Sequence, residues 1–229
     1  MRRHASTLLF GLGLVAALAS GCAAQRPPDE TTPDGLVRVP SRSVGGVYRA
    51  PDASFFQYRR IILEAPSINF VADWAENHPK LGPKEIARIR AESIKLFRDE
   101  FTREFVRRGS YKFADEQAPD VLLVVPVIED LDIKAPESGD TPGENSYLTM
   151  RPVTMKVTGD IRDAMTGKLV GRVITYHPPE QNPYNELRLA NRTANAQEQR
   201  RVFAEWSLLV REALDVAKAA QPRTPKPAN

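Results

Sequence analysis

The chain has a single cysteine, Cys22, among its 229 residues. No disulfide can therefore form within one molecule, so the fold must be held by packing and hydrogen bonds alone. Histidine is also scarce, with three in the chain. Outside the N-terminal segment, His78 and His177 have no histidine or cysteine at the spacing of zinc ligands. These absences argue against a disulfide-stabilised scaffold and against a structural zinc site.

The sequence motifs of nucleotide binding and of covalent catalysis are missing as well. The chain contains no Gly-x-Gly-x-x-Gly segment, no phosphate-binding loop and no Gly-x-Ser-x-Gly elbow. The closest approach to a metal site is the acidic group Glu129, Asp130 and Asp132, but it lacks the Asp-x-Asp-x-Asp-Gly pattern of a calcium loop. Asp130 and Asp132 would share one solvated face of a strand. We therefore predict no cofactor, no metal site and no catalytic residue.

Charge of either sign is not in excess. The chain has 32 lysines and arginines against 29 aspartates and glutamates. Two of the basic residues, Arg2 and Arg3, lie in a segment that we expect to be removed, which brings the balance closer to neutral. No basic surface for nucleic acid is indicated.

The N-terminus has the order of an export signal. Arg2, Arg3 and His4 form a positive head, an apolar run follows over residues 8–19, and two small residues precede Cys22. The apolar run is about a dozen residues long, whereas a helix needs about 20 to cross a bilayer. A permanent membrane span is therefore the weaker alternative, and we predict a signal peptide over residues 1–21.

The residues that end at the cysteine resemble the lipobox of bacterial lipoproteins: Leu18-Ala19-Ser20-Gly21-Cys22. The family prefers leucine where Ala19 stands. The resemblance implies that the Cys22 thiol carries a diacylglycerol and that the new amino group is acylated. A stable anchor needs more than one acyl chain, because each buried methylene contributes only about 0.8 kcal/mol. The alternative is an ordinary cleaved signal with a cysteine beside it.

The residue after the cysteine bears on which membrane holds the anchor. By analogy with enterobacterial lipoproteins, an aspartate there favours the inner membrane, and this chain has Ala23. We therefore expect attachment to the periplasmic side of the outer membrane. Residues 22–44 are expected to form the lipidated N-terminus and a flexible linker, residues 45–220 one globular domain, and residues 221–229 a disordered tail.

Periodicity within the domain predicts both helices and strands. A strand is expected over residues 58–65, followed by extended chain or a short turn over 67–74 and a short strand over 111–113. An amphipathic helix begins at Gly82-Pro83 and ends at Gly109, with phenylalanines on its buried face. A second amphipathic helix is predicted over residues 195–220.

The middle of the domain is predicted to be β-structure. The unbroken apolar run after Asp120 indicates a strand covered on both faces, with Pro126 marking an edge or a bulge. A loop follows over residues 136–146, and Thr166-Gly167 is expected to turn a hairpin. The predicted fold class is α/β (α+β): a single mixed, mostly antiparallel sheet of about five strands packed with two long helices, on one face or on both.

Seven short segments carry a family resemblance: Asp34-Gly35-Leu36-Val37, Phe56-Gln57-Tyr58-Arg59-Arg60, Phe101-Thr102-Arg103-Glu104-Phe105, Pro119-Asp120-Val121-Leu122, Asp130-Leu131-Asp132, Ala135-Pro136 and Asp163-Ala164-Met165-Thr166-Gly167-Lys168-Leu169. Together they resemble an uncharacterised family of bacterial lipoproteins, the domain of unknown function DUF 3313. The resemblance implies an envelope lipoprotein and no known reaction.

Three hypotheses for function follow. The first is a non-enzymatic interaction module, held at the membrane by the lipid on Cys22 and bound to other envelope proteins. The second is an envelope hydrolase whose site includes an acid beside His177 or Ser146. The third is a lipoprotein that binds a lipid or another small ligand in an apolar cavity between sheet and helices. A pocket in the folded domain would discriminate among them.

Overall fold

The computed structural model describes residues 30–42, 45–109, 111–135, 147–177 and 187–219. The expected signal peptide, Cys22, the loop predicted over residues 136–146 and the tail over residues 221–229 lie outside these ranges.

The described residues form ten strands and two long helices. The strands are β1 (Val37–Val39), β2 (Gly46–Arg49), β3 (Arg60–Leu63), β4 (Ser67–Phe70), β5 (Lys112–Phe113), β6 (Val121–Ile133), β7 (Tyr147–Thr149), β8 (Val153–Asp163), β9 (Leu169–His177) and β10 (Arg188–Ala190). The helices are α1 (Pro83–Thr102), which continues as a π-helical segment (Arg103–Arg108), and α2 (Arg192–Ala219). Both helices lie where the periodicity predicted them.

Eight of the strands form one mixed sheet in the order β1-β2-β9-β8-β6-β3-β5, with β4 also paired to β6. Neighbours along the sheet from β1 through β2, β9 and β8 to β6 are antiparallel. On the other side of β6, β3, β4 and β5 run parallel to their neighbours. β7 and β10 form a separate two-stranded sheet. The α+β class with a mostly antiparallel sheet is confirmed.

The predicted count of about five strands is wrong. β1 and β2 were missed because each has only three or four residues, too few for alternation to stand out from a loop. β1 also lies within residues 22–44, the range expected to be linker. The chain therefore enters the sheet earlier than the composition of that segment indicated.

Pro126 lies in a central strand, so its prediction as an edge residue is wrong. β6 has β8 along one side and β3 followed by β4 along the other. Val124 pairs with the last residue of β3 and Val127 with the first of β4, so Pro126 lies opposite the break between them. A residue without an N–H is tolerated at such a gap. The bulge in β6 comes later, around Asp130, which has a φ of 52°.

The two helices pack side by side on one face of the sheet. The ring of Phe97 in α1 lies 5.4 Å from the rings of both Phe203 and Trp206 in α2. The Ser93 hydroxyl donates to Gln199 at 2.7 Å near the start of the interface. The two helices run parallel, because later residues of α1 also meet later residues of α2.

Tight packing of α2 on the sheet depends on a glycine in β8. A Cβ atom at Gly159 would lie 2.2 Å from Cζ2 of Trp206, so no larger residue fits unless the indole moves. Trp206 is fully buried, and its Nε1–H donates to the carbonyl of Val173 in β9 at 3.3 Å. Because Gly159 has no side chain, the indole of Trp206 can occupy the space next to β8.

Candidate ligand groove

The sheet is wider than the two helices that cover it. Its path from β1 to β5 has seven strands, which at about 4.8 Å between neighbours is roughly 30 Å. Two helices of about 10 Å diameter cover roughly 20 Å of that width. α2 packs on β8 and β9, so β1 and β2 extend beyond it. The uncovered strands and the outer side of α2 form the two walls of a groove.

The groove has a volume of about 470 Å³ and runs along the C-terminal half of α2. Val39 of β1 and Val47 of β2 are register partners, which places their side chains on the same face of the sheet. Most of the lining is apolar, contributed by Val39, Val47, Phe55, Ile161, Val173, Leu209, Val210, Ala213, Leu214, Val216 and Ala217. The groove therefore offers a surface suited to an apolar chain.

The outer wall of the groove leaves apolar side chains in contact with solvent. Val216 on α2 is 68% exposed, whereas Val210, also in the lining, is completely buried. One face of this part of α2, with Val210, Leu214 and Ala217, is therefore packed in the core, whereas Val216 lies on an open apolar surface. Such a surface, when rimmed by polar groups, is typical of a binding site.

The polar side chains at the rim include two arginines. Ser41, Arg42, Arg49 and Glu212 line the groove. Arg172 also belongs to the lining, but its register with Tyr48 places its side chain on the opposite face of the sheet. Arg172 is held by Asp160 at 2.6 Å and by Asp34 at 2.7 Å, and the hydrogen bond to Asp160 raises the pKa of its guanidinium. Within the described ranges, Arg42 and Arg49 have no ion-pair partner. Two arginines are therefore available to a ligand, and Glu212 is the one acid in the described lining.

A second, smaller and more polar pocket of about 270 Å³ contains His78. The Nδ1–H of His78 donates to the backbone carbonyl of Trp74 at 2.7 Å, and the imidazole packs against the indole with the ring centroids 4.7 Å apart. Asp132 at the other side of the pocket is paired with Lys134 at 2.6 Å. The histidine is thus tied to its own segment.

Of the acidic residues considered as metal ligands, two are paired with lysines, among them Asp132 with Lys134, and the third is exposed. Glu129 pairs with Lys156 at 2.8 Å, and Asp130 is exposed at the bulge. In the described part of the chain, no group of three or more histidine, cysteine or acidic residues is arranged to hold a metal ion.

Two residues of the hydrolase hypothesis are not brought together by what the structure describes. Ser146, like Cys22, lies outside the described residues, and His177 is the last residue of β9. Among the described residues that line the groove, there is no histidine or cysteine to act as base or nucleophile. Separately, neither of the described helices combines the length and the hydropathy needed to cross a bilayer.

The groove was missed in the sequence because β1 and β2 were missed. The apolar stripe of α2 was recognised in Val210, Ala213, Leu214 and Ala217, but the stripe by itself predicts burial. Val216 lies off that stripe. This additional apolar surface near the end of α2 was the one feature of the sequence that could have indicated the groove.

Comparisons with known proteins add little to this geometry. No protein-family model matches the chain, and no curated protein matches it. The resemblance to DUF 3313 therefore stays a prediction.

Among solved structures, the chain is similar to a PelC dodecamer from Paraburkholderia phytofirmans, seen in two crystal forms, with 8% identity and a TM-score of 0.36. These matches cover 72% of this chain and 95% or 94% of PelC. It is also similar to XCC0632 from Xanthomonas campestris, a DUF330 protein, with 12% identity, a TM-score of 0.35, and coverage of 75% of this chain and 92% of that one. Similarity at this level transfers no property to this chain.

Proposed function

We propose that this protein is a lipid-anchored module on the periplasmic side of the outer membrane whose folded domain binds an apolar ligand in the groove beside α2. The single observation that carries the binding function is the groove, an apolar concavity of about 470 Å³. Pockets that hold one small ligand have volumes of about 300–1,000 Å³ and mostly apolar walls. The lipobox-like sequence at Cys22 supports the anchor.

The groove favours ligand binding over the other two hypotheses. An enzyme needs a nucleophile or an acid–base pair at the reacting atoms. The described lining includes the Ser41 hydroxyl and Glu212, but no histidine or cysteine. A stable interface with another protein buries about 800 Å² of each partner's surface, whereas this surface is a concavity between a helix and two strands. Binding of an apolar chain uses these features directly.

A tryptophan placed in the groove tests the binding function. Ala213 is half-buried in the wall formed by α2, so the indole of an Ala213→Trp variant would occupy the space of the ligand. The matched control is Ala91→Trp, at an exposed position on α1 away from the groove. Full-length proteins would be purified in mild detergent, and non-covalent ligands would be counted by native mass spectrometry.

The expected result is one copurified apolar ligand in the wild type and in Ala91→Trp, and a large loss of it in Ala213→Trp. Equal occupancy in all three proteins would place the ligand elsewhere, and a wild type without ligand would contradict the binding function.

The anchor is tested separately with a Cys22→Ala variant and a radioactive fatty acid. The proposal expects covalent label and sedimentation with the cell envelope in the wild type only. Equal label and equal sedimentation in both versions would contradict lipidation at Cys22.

A further inference from the structure

We infer that the ligand of the groove is an anionic lipid taken from the bilayer that holds the anchor, with its acyl chain along α2 and its head group at Arg42 and Arg49. This inference rests on the proposed function and adds to it the chemical class and the source of the ligand.

The rim provides charge without a partner. Arg42 is exposed and Arg49 half-buried, and neither has an ion-pair partner among the residues that the structure describes. Arg172 is already neutralised by Asp160 and Asp34, so it does not add to this charge. Against Glu212, the two free arginines leave the rim positive. Guanidinium groups bind phosphate and carboxylate oxygens in a bidentate manner, which suits the head group of an anionic lipid.

Charge and apolar wall are joined within one strand. Side chains alternate along β2, so Arg49 lies on the same face as Val47, which lines the groove. Tyr48, between them, points to the opposite face, where it packs with Leu36 and Ala50. A ligand whose tail contacts Val47 therefore has a cationic group within one strand repeat. This juxtaposition of an apolar channel and an arginine pair matches an amphiphile with a negative head.

The path of the chain brings the groove close to the membrane. The N–H of Arg38 in β1 donates to the carbonyl of Glu30 at 2.8 Å, and Thr31 forms a β-bridge with Val37. Glu30 thus lies beside the strand that carries Val39. Glu30 follows Cys22 by eight residues in the sequence, and eight residues span at most about 28 Å. An anchor on Cys22 therefore holds this end of the sheet near the lipid surface.

The test uses the full-length protein in vesicles of phosphatidylcholine. The vesicles contain a trace of phosphatidylglycerol or of phosphatidylcholine with a photoreactive diazirine in the acyl chain. After irradiation, mass spectrometry measures the lipid attached to the α2 peptide that contains Ala213. Arg42→Gln and Arg49→Gln are combined in one variant. The matched control is Arg38→Gln, since Arg38 belongs to β1 but lies on the opposite face from Val39.

The inference predicts that phosphatidylglycerol labels the α2 peptide at least several-fold more than phosphatidylcholine does. The double variant should reduce this ratio to near one and leave labelling by phosphatidylcholine unchanged, while Arg38→Gln keeps the wild-type ratio. Equal labelling by both lipids in the wild type would overturn the choice of an anionic head group and leave the apolar groove intact.

Two other outcomes distinguish failure of the proposed ligand binding from failure of the inferred lipid class. No lipid adduct on α2 from either probe would contradict the proposed function itself. If labelling by phosphatidylglycerol is abolished by soluble glycerol phosphate at millimolar concentration, the arginines bind a free anion and the inference of a membrane lipid is wrong.

Discussion

The two ends of the helix-covered face of the sheet are built differently. Beneath α1, three phenylalanines at intervals of four residues are fully or almost fully buried and stack on one another: Phe97, Phe101 and Phe105. At the β1–β2 end, α2 presents Ala213 and Val216 to an open groove, and the facing strands contribute valines. Large aromatic rings fill the space at one end. At the other end the side chains are small and aliphatic, and a groove stays open.

The difference arises because the sheet is wider than the two helices that cover it. Each helix covers about two strands, so a seven-strand path with two helices leaves strands without a cover. At the other edge, the π-helical segment after α1 and Tyr111 close the gap, with Tyr111 against the ring of Phe105 at 5.5 Å. At the β1–β2 edge, no described element plays that part. We therefore expect the packed end to determine stability and the groove end to determine binding.

The largest effect should come from Phe97→Ala at the packed end. Phe97 is fully buried between two aromatic side chains of α2, and truncation of such a residue costs about 3–5 kcal/mol in the free energy of unfolding. Urea denaturation followed by circular dichroism would measure it. The control Phe56→Ala removes a ring that is 54% exposed and should cost less than about 1 kcal/mol. Similar losses for both would break the contrast between packed core and surface.

The next largest loss of stability should come from one methyl group added where the sheet meets α2. In Gly159→Ala the new Cβ would collide with the indole of Trp206, so we expect a loss of about 1–3 kcal/mol. Gly82→Ala is the control, since its φ is −79° and nothing lies within 4 Å of the added atom. A thermal melt should show a clear fall for the first and little change for the second. An unchanged melting temperature in Gly159→Ala would mean that Trp206 is not seated on β8.

The groove end should tolerate a far larger addition. Ala213→Trp adds a whole indole, yet it enters open space, so the free energy of unfolding should change by less than about 1 kcal/mol. The same urea denaturation measures it, in protein freed of bound ligand. A loss as large as that of Gly159→Ala would show that the groove is not an open space in solution.

The smallest effect concerns alkaline stability. Burial, together with the hydrogen bond to Asp163 at 2.8 Å, raises the pKa of Tyr58 to about 12 from an unfolded value of about 10. Between these values the unfolded chain releases the proton while the folded chain retains it, so stability is intact below pH 10 and falls as the pH rises toward 12.

Melting temperatures at pH 9 and pH 11 would measure this effect. Tyr58→Phe should show a smaller fall over this interval than the wild type. An identical fall in both proteins would mean that Tyr58 ionises at its ordinary pKa.

Long, periodic elements were predictable from the sequence, and short ones were not. The phenylalanine spacing in α1 and the alternation in β8 each extend over enough residues to specify the element and its buried face. β2 owes its place to non-local pairing with β9, and β1 owes its place to pairing with β2, rather than to their own patterns. The groove depends on these two strands, so its position could not be derived before the sheet was known. The lipidation site depends on a local motif at Cys22 and remains a prediction from sequence.

The central claim is that a lipid occupies the groove in the cell. The most direct measurement replaces Val216, in the groove wall, with the photoreactive amino acid p-benzoyl-phenylalanine in the full-length protein, irradiates living cells, and identifies what becomes attached by mass spectrometry. Ala91 is the matched control position, since it is exposed on α1 and away from the groove. The account predicts adducts with the mass of an intact membrane lipid at position 216 and none at position 91. Adducts with another protein, or no adduct at position 216, would contradict it.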